Sequence, residues 1–194
     1  MPSKRSTSSS SKKSNDALTL LKADHDKVKK MFKEFERLNN DESDEECEQL
    51  AKQICNELKI HTTIEEEIFY PEARSAIEDD DLLDEAEVEH ASAKELIEQI
   101  ESTSSADEKF AAKVSVLGEY VNHHIKEEQD EMFPQCKKAK MDLQGIGEKL
   151  MQRKQELMSE MGMDSEEGEE AGEAATGGAR RSSSRGGQAS RAGR

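Results

Sequence analysis

HTTIEEEIFYP (residues 61–71) and HIKEEQDEMFP (residues 124–134) align without a gap, His61 on His124, Glu65 on Glu128 and Pro71 on Pro134. Each opens with a His followed four residues later by a Glu, and in a helix residues four apart lie one above the other on one face. Each stretch therefore aims an imidazole and a carboxylate at one point. A lone histidine precedes each of them, His25 before the first and His90 before the second. Four of the chain's five histidines thus fall into two copies of one arrangement. The repeat predicts two helical hairpins facing each other about a pseudo-two-fold axis, with a site on that axis.

Outward from these stretches the apolar residues keep helical spacing. The first helix carries Leu18, Leu21, His25, Val28, Phe32 and Phe35 on one seam, is capped by Asn15 or Asp16, and ends near Asn39 and Asn40. The second opens on acidic DESDEE, which suits a helix N-terminus, and carries Ile54, Leu58, His61, Glu65 and Ile68 until Pro71 bends or closes it. Asp79, Asp80 and Asp81 cap a third, whose seam is Leu83, Ala86 or Glu87, His90, Ala93, Ile97 and Ile100. STSSAD (residues 102–107) ends it and caps a fourth, with Val114, Leu117, Val121, His124, Glu128 and Met132 on the seam and Pro134 near the end. Short connections make neighbours antiparallel. The fold class is all-α: an antiparallel up-down-up-down four-helix bundle over residues 15–140, with an additional C-terminal helix. That extra amphipathic segment, 141–161, carries Leu143, Ile146, Leu150, Leu157 and Met161 and either packs on the bundle or projects from it. Residues 1–14 (Ser- and Lys-rich) and 162–194 (acidic, then Arg/Gly/Ser-rich) read as disordered tails.

Composition agrees. Charged residues make up 37% of the 194 and hydrophobic ones only 32%, enough for a slim bundle and too little for a large core. The net charge is −16. Residues 1–14 carry four basic groups and 162–194 five Arg against six acids, so the helical region holds a charge near −19. Such a field disfavours nucleic acid and anionic membranes and attracts cations. No apolar run approaches the roughly 20 residues needed to span a bilayer, and no apolar stretch follows the basic N-terminal residues, as a secretory signal requires. Cys47, Cys55 and Cys136, odd in number and without paired spacing, read as reduced thiols of a cytoplasmic protein.

The chemistry lies on the seams. A single seam histidine is usually a hydrogen-bonded core residue, but here one falls on every helix, and two are joined by a seam glutamate. Buried carboxylates are costly unless paired or bound to metal. His25, His61, Glu65, His90, His124 and Glu128 are therefore the expected metal ligands. Six such donors exceed one tetrahedral ion and suit a dinuclear centre; imidazole with carboxylate and no thiolate suits Fe, Mn or Zn. If Glu65 and Glu128 each bridge two octahedral irons, also joined by an oxo or hydroxo bridge, about two coordination positions stay open for O2, peroxide or NO. Glu87, one turn before His90, either fills one or points to water. His123 with Glu127 makes a rival pair, but 124/128 continues the seam from Val121 and matches the His61-to-Pro71 distance, leaving His123 on the solvent side or behind the ligands. Glu66, Glu67, Glu127, Asp130 and Glu131 read as solvated faces.

LLKADHDKVKKMF around His25, IHTTIEEEIFYP, VEHASAKELI around His90 and HHIKEEQDEMFP together resemble the hemerythrin-like, or HHE cation-binding, domains over about residues 16–140. The resemblance implies a non-haem di-iron centre in a four-helix bundle, with His25, His61, His90 and His124 as terminal ligands and Glu65 and Glu128 as bridges. The oxygen-carrying members are similar but use five histidines, where Ala86 and Lys94 stand here one turn from His90. Their last bridge is an Asp five residues after its His, where Glu128 stands at four. These departures count against reversible oxygen carriage. The expected function is a cytoplasmic di-iron protein that binds or senses O2, peroxide or NO, without nucleic-acid or membrane partners; a di-iron enzyme acting on peroxide and an iron buffer are the alternatives.

Overall fold

The computed structural model describes residues 16–41 and 43–163, so the expected tail 1–14, Asn15, and all of the expected tail 162–194 beyond its first two residues lie outside the described residues. Every element among the described residues is helical. Helix α1 runs Ala17–Asn40. Helix α2 runs Asp44–Ile64 and continues through a π-helical turn, Glu65–Phe69, into Tyr70–Arg74. Helix α3 is Asp80–Glu101. Helix α4 is Phe110–Glu127, continuing through a π turn at Glu128–Met132 into Phe133–Lys138. Helix α5 is Leu143–Glu160.

Local chemistry explains most of the ends. The Asp16 carboxylate accepts the Thr19 amide at 3.0 Å, and those of Asp79 and Asp142 accept the amides of Leu82 and Gly145, satisfying donors that a helix N-terminus leaves free. Asp44, Glu45 and Glu46 occupy the first turn of α2, where the helix dipole favours them. The expected cap of α4 is absent. Asp107 instead accepts the amide of Lys109, only two residues on, at 2.8 Å, a local turn that leads into the helix without capping it.

Neither proline ends its helix. Proline lacks an N–H and its ring collides with the carbonyl four residues back. Both helices widen just ahead of it, the amides of Tyr70 and Phe133 reaching five residues back to the carbonyls of Glu65 and Glu128. The extra residue shifts the burial pattern. Ile68, expected on the seam, is only partly buried, while Phe69 and Tyr70 are 0% and 2% exposed.

α1 packs on α2, α2 on α3, α3 on α4 and α4 on α1, the closed cycle of an up-down-up-down bundle. Two apolar clusters fill it. One holds Val28, Phe32, Ile54, Leu58, Ile97 and Leu117; the other holds Leu18, Leu21, Phe69, Leu83, Met132 and Phe133. All the seam histidines and glutamates fall between them along their helices. Glu87 is exposed and Ala86 takes the seam. α5 packs against α1 and α2 through Ile146 and Leu150, with Lys149 on Glu72, Arg153 on Glu67 and Lys154 on Asp24; Met161, expected on its stripe, is 38% exposed. Cys47, Cys55 and Cys136 are buried free thiols, and no described helix is long and apolar enough to cross a membrane.

Leu117 is fully buried in the first cluster. Leu117→Ala should cost about 2–5 kcal/mol, the lost transfer energy plus a cavity. Urea denaturation would show this as a lower midpoint at unchanged slope.

Candidate metal centre

The six seam donors converge. His25 comes from α1, His61 and Glu65 from α2, His90 from α3, and His124 and Glu128 from α4; none is more than 7% exposed. The Nε2 atoms of His25 and His61 lie 3.0 Å apart, and those of His90 and His124 3.1 Å. Glu65 Oε2 is 3.2 Å from His61 Nε2 and 3.5 Å from His90 Nε2. Glu128 Oε2 is 3.1 Å from His25 Nε2 and 3.7 Å from His124 Nε2. The donors form two overlapping sets: His25, His61, Glu65 and Glu128 in one, and Glu65, His90 and His124 in the other. Each glutamate thus stands between a histidine of one pair and a histidine of the other.

Their electrostatics are those of a cation site. Both oxygens of Glu65, Glu128 Oε2 and His61 Nδ1 are buried without a hydrogen-bond partner among the described residues. Burial, aided by the Glu128 charge, pushes the Glu65 carboxyl well above its usual range. Burial also opposes ionisation of Glu128, but His124 and His25 outweigh it and hold that carboxyl low. Burial pushes His61 and His90 down, whereas at His124 the charges of Glu128 and Glu89 overcome it and raise the ring. Such a cluster is costly to bury alone. The donor types and orphaned oxygens suit metal ions.

The opposite edge of each ring is also held. His90 Nδ1 is 3.0 Å from Glu66 Oε1, His124 Nδ1 2.8 Å from Glu89 Oε2, and His25 Nδ1 2.9 Å from the Gln129 side-chain amide. His61 Nδ1 faces Asp24 at 3.7 Å. Groups behind a ligating imidazole fix its orientation and tune its basicity. Every such partner is the sequence neighbour of a seam donor on an adjacent helix. Asp24 precedes His25, Glu89 precedes His90, Glu66 follows Glu65 and Gln129 follows Glu128. The four helices are laced in a cycle: α1 holds the histidine of α2, α2 that of α3, α3 that of α4, and α4 that of α1.

Sequence reasoning missed these four residues and Tyr70. Glu66, expected on a solvated face, is half-buried between His90 and Lys94. Its carboxyl is held down at about 2, first by the His90 hydrogen bond. The one legible signal was the adjacency itself, an acid beside each of three donors. Glu87 is exposed and accepts from Arg74 at 3.0 Å, which takes it out of the centre. His123 is 62% exposed beside Glu127 and Glu89.

Comparison with known proteins agrees with this geometry. The hemerythrin HHE cation binding domain model matches residues 16–136. A Nostoc protein described as a DNA nickase is 30% identical over 127 residues, 66% of this chain, and the chain spans only 35% of that protein's length. The solved structure of a hemerythrin HHE cation binding domain-containing protein from Mycobacterium kansasii superposes with a TM-score of 0.63 at 23% identity, over 75% of this chain and 88% of the other. The chain belongs to the hemerythrin HHE cation binding domain family.

Without metal, the cluster should make stability fall as pH rises. Above pH 6.5 the depressed rings of His61 and His90 are neutral whether the chain is folded or not. The raised Glu65 and His124 still hold protons in the folded chain that the unfolded chain has released, so stability is lost through that range. Glu65→Gln, a mimic of the protonated acid, should flatten the slope and add about 1–3 kcal/mol near pH 8. Urea titrations of the chelated protein at several pH values check this.

Proposed function

We propose that the chain holds a pair of iron ions, with His25, His61, His90 and His124 as terminal ligands and Glu65 and Glu128 as bridges, and that it binds O2, peroxide or NO there. The ions would supply exchangeable, redox-active coordination positions. The protein's own part is to orient four imidazoles, to keep bulk water away with two apolar clusters, and to leave room for one small molecule.

A cavity beside the donors carries this reading. It has a volume of about 20 Å³ and is bordered by all four histidines together with Val28, Leu58, Ala93, Val121 and Ile125. That is space for about one water-sized molecule. Its walls are apolar apart from the rings, Thr62, Glu89 and Tyr120. Such a chamber suits a diatomic or a peroxide and rejects a larger substrate. The same smallness supports a binding or sensing role over an enzyme with an organic substrate. Peroxide fits the chamber too, so turnover of peroxide is the second reading. An iron store needs space for many ions, and this cavity has none.

Nucleic acid is not the expected partner. The nickase description belongs to a protein of which this chain covers about a third, and the acidic helical region repels a phosphate backbone. The three unpaired thiols support a cytoplasmic setting.

Metal analysis of the aerobically purified chain should give about two irons, with near-ultraviolet absorption of a bridged ferric pair. His61→Ala or Glu128→Ala should lower that content and loosen the bundle, since binding and folding are coupled. Ala93→Leu, which fills the chamber and removes no donor, should keep the iron and weaken azide or NO binding more than about tenfold, equivalent to 1.4 kcal/mol. Equal affinity in that variant, followed by optical titration, would remove the cavity from the reading.

A further inference from the structure

We propose that Tyr70 is a seventh protein ligand, its phenol oxygen bound to the ion on the His90/His124 side. This rests on the iron reading above and adds to it an inequivalence between the two ions.

The repeat pairs Tyr70 with Phe133. Each ring lies against a histidine of the centre. Phe133 stacks on His25 with centroids 6.0 Å apart, and Tyr70 tilts against His90 at 5.3 Å. The difference between the two halves at this position is one hydroxyl group, and it is buried. Tyr70 is 2% exposed.

The hydroxyl has more partners than a structural hydrogen bond requires. Its oxygen is 3.2 Å from His90 Nε2, 3.5 Å from His124 Nε2 and 3.2 Å from Glu128 Oε1. All three are proposed ligand atoms. Donors bound at about 2.1 Å and at right angles around one ion stand about 3 Å apart. The phenol oxygen thus has the spacing of a neighbouring donor toward all three at once.

The donor count favours the same side. His25, His61, Glu65 and Glu128 fall in one tight group and Glu65, His90 and His124 in the other, Glu128 Oε2 lying 3.7 Å from His124 against 3.1 Å from His25. Tyr70 adds an oxygen to the poorer set. The π turn explains how it arrives there. Its amide bonds the Glu65 carbonyl five residues back, and the widened turn brings residue 70 inward beside the carboxylate's own face. Binding replaces the O–H bond by an oxygen–iron bond and releases the proton to water; no change of oxidation state is involved.

The chain has only two tyrosines, Tyr70 and Tyr120, so the test is unambiguous. Full-length wild type, Tyr70→Phe and Tyr120→Phe are loaded with ferrous iron in air. Iron per chain, visible absorption and resonance Raman spectra are then measured. Tyr70→Phe reproduces the residue of the other half of the repeat, and the fold should tolerate it. A phenolate-to-iron charge-transfer band with its ring vibrations should appear in wild type and Tyr120→Phe and vanish in Tyr70→Phe. Two irons per chain with one common spectrum in all three proteins would overturn the ligand and leave the iron centre standing. A wild-type chain that takes up no iron would overturn both.

Discussion

Four imidazoles and two carboxylates sit between two apolar clusters in a bundle only four helices wide, and the rest of the architecture answers to that burial. Each ionised group loses hydration, and a thin core offers few replacements. The protein supplies hydrogen bonds on the outer edges of the rings and almost none on the inner oxygens. The outer edges of His25, His90 and His124 are satisfied, whereas three of the four inner carboxylate oxygens are not. That polarity of satisfaction distinguishes a binding site from an ordinary buried polar network, in which every member finds a partner.

The lacing of the rings turns local sequence into tertiary specification. A helix that slid by one turn along its neighbour would lose both its seam donor and the adjacent residue that holds the next helix's ring. Asp24 shows the coupling most fully. It faces His61 across α1 and α2 and also receives Lys154 from α5. Burial raises its carboxyl, but the neighbouring His61 ring and the Lys154 ammonium more than compensate and hold it at about 2. The fifth helix, outside the four-fold plan, therefore braces the centre from behind.

The seam positions were legible because a 3.6-residue period directly encodes a buried face. His25, His61, Glu65, His90, His124 and Glu128 needed nothing beyond that period and the repeat. Ile68 failed because the period itself changes at the π turn. The sign was present in Pro71 and Pro134, but a proline alone does not say whether a helix stops, kinks or widens. Glu66, Glu89, Asp24 and Gln129 failed for a different reason. They lie off the seam of their own helix, and only the register between helices gives them partners. The choice between Ala86 and Glu87 was settled by Arg74, an ion pair that no periodicity contains.

The repeat is symmetric in backbone and unequal in chemistry. Both halves have the same His-to-Glu spacing, the same π turn and the same proline, so the two positions were built to one plan. Glu66 of the first half is matched by Gln129 of the second, and Tyr70 by Phe133. Both differences place oxygen or negative charge on the His90 side and neutral groups on the His25 side. An anionic partner raises the basicity of the ring it holds; His90 has one in Glu66, where His25 has the neutral Gln129 amide. Two ions held in such surroundings would differ in affinity and in their readiness to exchange a ligand. A strictly symmetric pair would offer an incoming small molecule no preferred end; in the proposed centre, two differences between the halves of the repeat would be enough to create one.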